Sequence, residues 1–290
     1  MIFKGSGVAL VTPFNKDFSI NFEKLEELLK FHIKNKTDAI IILGTTGESA
    51  TLTDEEKFKI IDFSINITKG KIPLIVGTGS NDTAHAIKIS KYAASKNVDG
   101  VLIVTPYYNK TSQDGLYLHY EKIAKSIPDT PIILYNVPSR TGVDINVETI
   151  EKLALIKNIV GIKEASQDLS KIAKLQSLSI EGFSLYSGND DLTLPLLSIG
   201  ADGVISVFAN IKPALMHEIC SLYFEGKIDE AKILYYKNLR LMQNLFLDVN
   251  PIPIKEALNY LGFGVGPLRL PLCQMSKLKR EKLFEIIDNT

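Results

Sequence analysis

Short runs rich in valine and isoleucine recur at 6–12, 39–43, 73–77, 100–105, 131–135, 159–163, 183–187 and 202–206. They lack the polar alternation of a strand with one wet face, so each is expected to be buried on both faces, as parallel strands are. Between them lie stretches of helical periodicity such as Phe22-Glu23-Lys24-Leu25-Glu26-Glu27-Leu28-Leu29. Thr53-Asp54-Glu55-Glu56 has the form of a capping box, and Asn81 and Ser112 read as N-caps of later helices. Eight strand signals with seven helical connections in about 200 residues predict an α/β chain folded as a (β/α)8 TIM barrel. An open doubly wound sheet is the alternative. After residue 206 the strand pattern stops, and 211–225, 229–247, 252–260 and 276–288 read as helices. The expected division is a catalytic barrel over 1–224 and a C-terminal helical domain over 225–290.

The 290 residues are 45% hydrophobic and 23% charged, enough apolar material for a full-sized core. Thirty-three basic residues cancel thirty-three acidic ones, which argues against a nucleic acid or a membrane surface as partner. Cys220 and Cys273 have no metal-type spacing and read as reduced packing residues. Met1-Ile2-Phe3-Lys4-Gly5 has neither the charged head nor the apolar stretch of a signal peptide, and no run approaches transmembrane length. A soluble cytoplasmic protein is expected. His32, His85, His119 and His217 are scattered over helical segments without ligand spacing, so neither a metal centre nor a histidine triad is expected. Asn189-Asp190-Asp191 reads as a helix N-cap rather than a cation site.

In a β/α barrel the chemistry sits at the C-terminal ends of the strands. Those ends read Thr12-Pro13-Phe14, Gly44-Thr45-Thr46-Gly47-Glu48, Gly77-Thr78-Gly79, Thr105-Pro106-Tyr107-Tyr108, Tyr135-Asn136, Lys163-Glu164, Ser187-Gly188-Asn189-Asp190 and Ser206. Hydroxyls, tyrosines and one amine converge on a single rim. Lys163 closes the apolar run Ile159-Val160-Gly161-Ile162, and an amine held at an apolar mouth loses solvation, which favours its neutral, nucleophilic form. The Gly44–Glu48 turn can face an anion with its N–H groups, and its two hydroxyls can relay protons or bind a carboxylate. Gly77-Thr78-Gly79-Ser80 lacks the lysine of a phosphate loop and reads as a plain turn. Tyr135 shares the rim with Lys163, which suits proton transfer as well as a structural hydrogen bond. Arg140, in Val137-Pro138-Ser139-Arg140-Thr141-Gly142, is one of only four arginines among the 33 basic residues. It offers a fixed fork for a carboxylate, which a lysine cannot.

Gly44-Thr45-Thr46-Gly47-Glu48-Ser49, Thr105-Pro106-Tyr107-Tyr108-Asn109-Lys110, Tyr135-Asn136-Val137-Pro138-Ser139-Arg140-Thr141-Gly142 and Gly161-Ile162-Lys163-Glu164-Ala165 occur in this order. Together they resemble the dihydrodipicolinate synthase branch of the pyruvate-dependent aldolases, the family that also holds N-acetylneuraminate lyase. The resemblance runs over essentially the whole chain. It implies that Lys163 forms a Schiff base with pyruvate, that Tyr135 and Thr45 relay protons, and that Tyr108 is lent by a neighbouring subunit of a homo-oligomer, commonly a tetramer. It implies that Thr46 and the turn hold the pyruvate carboxylate, that Ile205 and Gly188 line the substrate pocket, and that no metal or organic cofactor is needed. Arg140 would hold the carboxylate of aspartate semialdehyde, giving 4-hydroxy-tetrahydrodipicolinate on the route to diaminopimelate and lysine. A sister aldolase or lyase acting on sugar acids, which would not need Arg140, is the alternative.

Many members of this family also bind lysine in a cleft between subunits. Ser49, Ala50, Asn81 and Tyr107 match that cleft, but His85 stands where a carboxylate would meet the ligand's amino group, and Asp54 and Lys57 replace histidines found in some lysine-sensitive members. Weak or absent inhibition by lysine is the expectation, with Asp54 as the one carboxylate that could compensate.

Overall fold

The computed structural model describes residues 1–290. Strands β1 (Gly5–Ala9), β2 (Ala39–Ile42), β3 (Leu74–Gly77), β4 (Gly100–Val104), β5 (Ile132–Asn136), β6 (Ile159–Glu164), β7 (Ser184–Ser187) and β8 (Gly203–Ser206) pair in parallel and in chain order. β8 returns to β1 and closes the barrel, so the open sheet is excluded. Each connection carries helix: α1 (Phe22–Lys34), α2 (Asp54–Thr68), α3 (Thr83–Ser95), α4 (Gln113–Ser126), α5 and α6 (Pro138–Thr141, Val147–Ala154), α7 (Leu169–Ser177) and α8 (Thr193–Ile199). The tail adds α9 (Pro213–Phe224), α10 (Ile228–Asn244), α11 (Ile252–Tyr260) and α12 (Lys277–Asp288).

The core has two shells because strand side chains alternate in direction. In β2, Ile40 and Ile42 join the large apolar layer between barrel and helices, while Ile41 points to the axis. The axis is plugged by Phe3, Ala9, Ile41, Ile75, Leu102, Ile133, Tyr186 and Ile205, with Tyr186 stacked on Phe3 and donating its phenol proton to the Phe3 carbonyl. Helix starts follow the local chemistry. The α2 capping box is complete: Glu56 N donates to Thr53 Oγ1 at 3.2 Å and Thr53 N to Glu56 Oε2 at 2.9 Å. Ser112 caps α4, but α3 is capped by Asp82, whose carboxylate accepts from Ala84 N at 2.9 Å. Asn81 instead donates to the Tyr107 carbonyl.

Two expectations need correction. Cys220 is fully buried in α9, whereas Cys273 is exposed on the loop before α12 and is not a core residue. Asp190 does not cap a helix; its Oδ2 accepts the backbone N–H groups of Val207 and Phe208, binding the loops after β7 and β8 together. No helix is long and apolar enough to cross a membrane.

Asn158, at the entrance to β6, donates its amide to the carbonyls of Ala124, Ile127 and Thr130 and so ties β6 to the end of α4. Asn158→Ala leaves the Thr130 carbonyl without a donor, since those of Ala124 and Ile127 also accept backbone N–H groups, at a cost of about 1–3 kcal/mol. Urea unfolding should register a lower midpoint with unchanged slope; an unchanged midpoint would show that water replaces the amide.

Candidate active site

β5 and β6 are in register so that Tyr135 lies opposite Lys163 and Asn136 opposite Glu164. The first pair points to the axis and the second to the helix shell. The Lys163 side chain is buried, and its Nζ stands 4.5 Å from the centre of the Tyr135 ring. Burial, assisted by the Arg140 guanidinium and opposed by the Asp190 carboxylate, brings the amine down from 10.5 to about 8. The Tyr135 phenol is pushed up by burial, partly offset by Arg140 and Thr45, and stays protonated at neutral pH. A partly neutral amine thus faces a proton-bearing phenol.

These two groups lie in a cavity of about 290 Å³ at the C-terminal end of the barrel, walled also by Thr45, Thr46, Arg140, Gly188, Asn189 and Asn250. A Cβ at Gly188 would come within 3.2 Å of Lys163 Cε and 2.6 Å of Ala165 Cβ, so the glycine leaves room for the lysine stem. Within the Gly44–Glu48 turn, Gly47 N–H donates to the Gly44 carbonyl and Glu48 N–H to that of Thr45. The N–H groups of Thr45 and Thr46 have no protein acceptor and are free for an anion. Thr46 Oγ1 accepts from Asn250 Nδ2 at 3.0 Å, which leaves its own proton to donate.

Arg140 sits in the four-residue α5, which Gly142 ends in the left-handed region at φ 69°. Buried Thr141 fixes that helix by accepting from Thr105 Oγ1 and donating to the Val143 carbonyl. One Arg140 nitrogen donates to the Asn250 carbonyl at 3.3 Å.

The structure brings Lys163, Tyr135, Thr45, Thr46, Arg140 and Gly188 to one cavity. Ile205 is fully buried in the axial plug and is not part of the cavity wall. Tyr108 is 92% exposed with φ 69° and lines neither this cavity nor its neighbour. Two contributors escaped the sequence reading. Asn250 reaches the site from the segment between α10 and α11, about two hundred residues from its Thr46 partner, and Asp190, which reads as a cap in the sequence, instead acts on the Lys163 charge. The Asn250-Pro251-Ile252-Pro253 punctuation marked a break in the helices, and nothing local marked its destination.

Fold and site together define a β/α-barrel enzyme with a desolvated amine beside a phenol in its mouth. The chain belongs to the dihydrodipicolinate synthetase family, whose model matches residues 2–290. A 4-hydroxy-tetrahydrodipicolinate synthase of Clostridium novyi (strain NT) is 52% identical over 288 residues, covering 99% of this chain and 97% of that one. The crystal structure of dihydrodipicolinate synthase from Aquifex aeolicus superposes with a TM-score of 0.96 at 44% identity, covering 99% of this chain and 97% of that one. The enzyme of Cyanidioschyzon merolae, solved with lysine bound, gives a TM-score of 0.97 at 39% identity, covering 99% and 98%.

The lowered Lys163 pKa makes a direct forecast. An amine titrating at about 8 is roughly one-tenth neutral at pH 7, against under about one part in a thousand for an ordinary lysine. Because the neutral base is the reactive form, reductive methylation of Lys163 followed by peptide mass mapping should rise with pH and level off above about 8. Exposed lysines should go on gaining reactivity well beyond that point. A Lys163 profile that parallels theirs would remove the desolvation argument.

Proposed function

We propose that this chain is a 4-hydroxy-tetrahydrodipicolinate synthase, a lyase that condenses pyruvate with L-aspartate 4-semialdehyde in diaminopimelate and lysine biosynthesis. The observation that carries this reading is the buried Lys163 amine against the Tyr135 phenol, in a cavity whose rim holds Thr45, Thr46 and Arg140. Neutral Lys163 adds to the keto carbon of pyruvate. Tyr135, relayed through Thr45, supplies the proton with which the hydroxyl leaves as water, giving the imine. Loss of a methyl proton then yields an enamine, whose carbon attacks the aldehyde of the second substrate. The free N–H groups of Thr45 and Thr46 and the Thr46 hydroxyl suit the pyruvate carboxylate. Gly188 gives the imine space.

Arg140 carries the choice of acceptor. One nitrogen is engaged by the Asn250 carbonyl, and the remaining donors are available to a carboxylate at the mouth. A sugar-acid lyase has no need of such a fork, so Arg140 favours the synthase over that reading. The chemistry runs through the covalent imine and calls for no metal or organic cofactor. Exposed Tyr108 suits donation to a neighbouring subunit, which makes the proposed active form a cytoplasmic homo-oligomer, a tetramer built as a pair of dimers.

Borohydride reduction in the presence of pyruvate should add the reduced adduct to the peptide holding Lys163. An adduct on another lysine, or none in an active preparation, would sink the mechanism. Arg140→Ala should leave that trapping nearly intact while lowering kcat/KM for aspartate semialdehyde about 10- to 150-fold, the loss of one charge-assisted pair. Unchanged acceptor specificity would assign the carboxylate to another group.

Lysine is proposed to inhibit weakly or not at all. The second cavity, of about 390 Å³, is walled by Ser49, Ala50, Lys57, His85 and Tyr107. Asp54, the carboxylate that could compensate for His85, already accepts from Lys88 at 2.7 Å and from His85 at 2.9 Å, and these two hold its pKa down at about 2. Lys57 adds a nine-tenths buried cation. Lysine titrated to millimolar levels at subsaturating pyruvate should leave the rate unchanged; saturable inhibition would return Asp54 to the role.

A further inference from the structure

The turn that carries Thr45 and Thr46 ends in Glu48, a residue in the left-handed region at φ 53°, where glycine or asparagine is the easier choice. Its carboxylate is buried. Glu48 Oε1 accepts from Lys255 Nζ at 2.7 Å, and Oε2 from the Arg269 backbone N–H at 3.0 Å. Lys255 spends its remaining protons on the Thr12 and Pro267 carbonyls and lies over the Phe14 ring, so the buried ammonium has all its protons satisfied by the protein. Both side chains of the pair are at least 99% buried.

The same α11 start touches the turn twice. Lys255 grips Glu48 from below, while Asn250 reaches Thr46 Oγ1 and offers its carbonyl to Arg140. Arg269 extends the fastening, pairing with Glu56 and donating to the Thr51 carbonyl on the far side of the turn. A buried ion pair adds little net stability over an apolar pair of the same volume, so folding alone gives weak reason for it. What it offers is one fixed geometry. Strained backbone held by a buried side chain is also how active-site geometry is commonly enforced.

We infer that Glu48 and Lys255 are positioning residues: their buried pair sets the Thr45–Thr46 turn at the distance from Lys163 and Tyr135 that the reaction requires. Neither touches substrate. This inference rests on the Schiff-base reading above, and it makes the C-terminal helices part of the catalytic apparatus.

The test compares wild type with the double variant Glu48→Gln/Lys255→Met, which leaves no uncompensated charge, after circular dichroism has verified the fold. Pyruvate KM and the single-turnover rate of borohydride-trappable imine are read across pH. In the double variant KM should rise and the imine rate fall, each about tenfold, since sub-ångström displacement of binding and relay groups has effects of this order. Lys163 should still label to completion, with its own titration unmoved. A merely structural pair predicts a lower melting temperature with KM and rate within about twofold of wild type, and that result overturns the inference. Should the double variant not fold, Lys255→Arg decides: it keeps the charge but changes the geometry, and a KM equal to wild type overturns the proposal. A wild type that is never trapped by pyruvate sinks the Schiff-base reading and this inference with it. A trapped wild type beside an unaffected variant removes the positioning role alone.

Discussion

Closure of the sheet is the constraint from which the site follows. A closed parallel barrel has no free edge, and beyond the bulge that shifts the β5–β6 register between Ile132 and Ile133 the side chains of these strands alternate between axis and helix shell. Lys163 and Tyr135 face one another on the axis because β5 and β6 are locked in that pairing by their own neighbours. A slip of β6 by one residue would send the amine into the helix shell and bring Glu164 to the axis. The amine sits above an apolar plug, and its shift from 10.5 to about 8 corresponds to on the order of 3 kcal/mol of lost preference for the charged form. The pairing of eight strands holds it there.

The surrounding carboxylates explain why the shift is moderate. Glu164, adjacent in sequence and also buried, points outward and is taken up by Asn136, Ser166 N–H and Lys171. It cannot ion-pair with Lys163. Asp190 makes no ion pair with the amine and acts on it through its charge alone, while its Oδ2 holds the Val207 and Phe208 N–H groups. A carboxylate in direct contact would keep the lysine charged and inert, and none at all would leave it fully desolvated. The arrangement lies between these limits, with the amine titrating within a unit or so of neutral pH.

Much of this was legible in the chain because it is written locally. Burial on both faces removes polar alternation, so each barrel strand stands out as a short apolar run, and residues at the run ends fall on the catalytic rim. That logic locates Lys163, Tyr135, Thr45, Thr46 and Arg140 without reference to their partners. It cannot find Glu48–Lys255 or Thr46–Asn250, whose members are more than two hundred residues apart and carry no shared period. A buried lysine in α11 looks, as sequence, like any lysine on a helix. Asp190 is illegible for a related reason: an acid at the start of a short helix suggests a cap, whereas its Oδ2 is taken up by backbone N–H groups seventeen and eighteen residues further on. Asn81 lost its capping role to Asp82 on geometry too fine for composition to resolve.

Tyr108 holds a left-handed backbone at φ 69°. A bulky aromatic in the left-handed region costs about 1–2 kcal/mol, and such a cost is ordinarily offset by contacts that the conformation makes possible. Glu48 illustrates the rule, since its unfavourable backbone delivers a carboxylate into a satisfied pair. Tyr108 has the same backbone and no such return, for its ring is exposed and lines neither cavity. Tyr107 beside it walls the second cavity, which shares Gly44, Thr45, Tyr135 and Arg140 with the first. The proposed donation of Tyr108 to a neighbouring subunit gives the strain a purpose. It would also place the subunit contact against the wall common to both cavities, so that assembly and the proton relay depend on the same few residues.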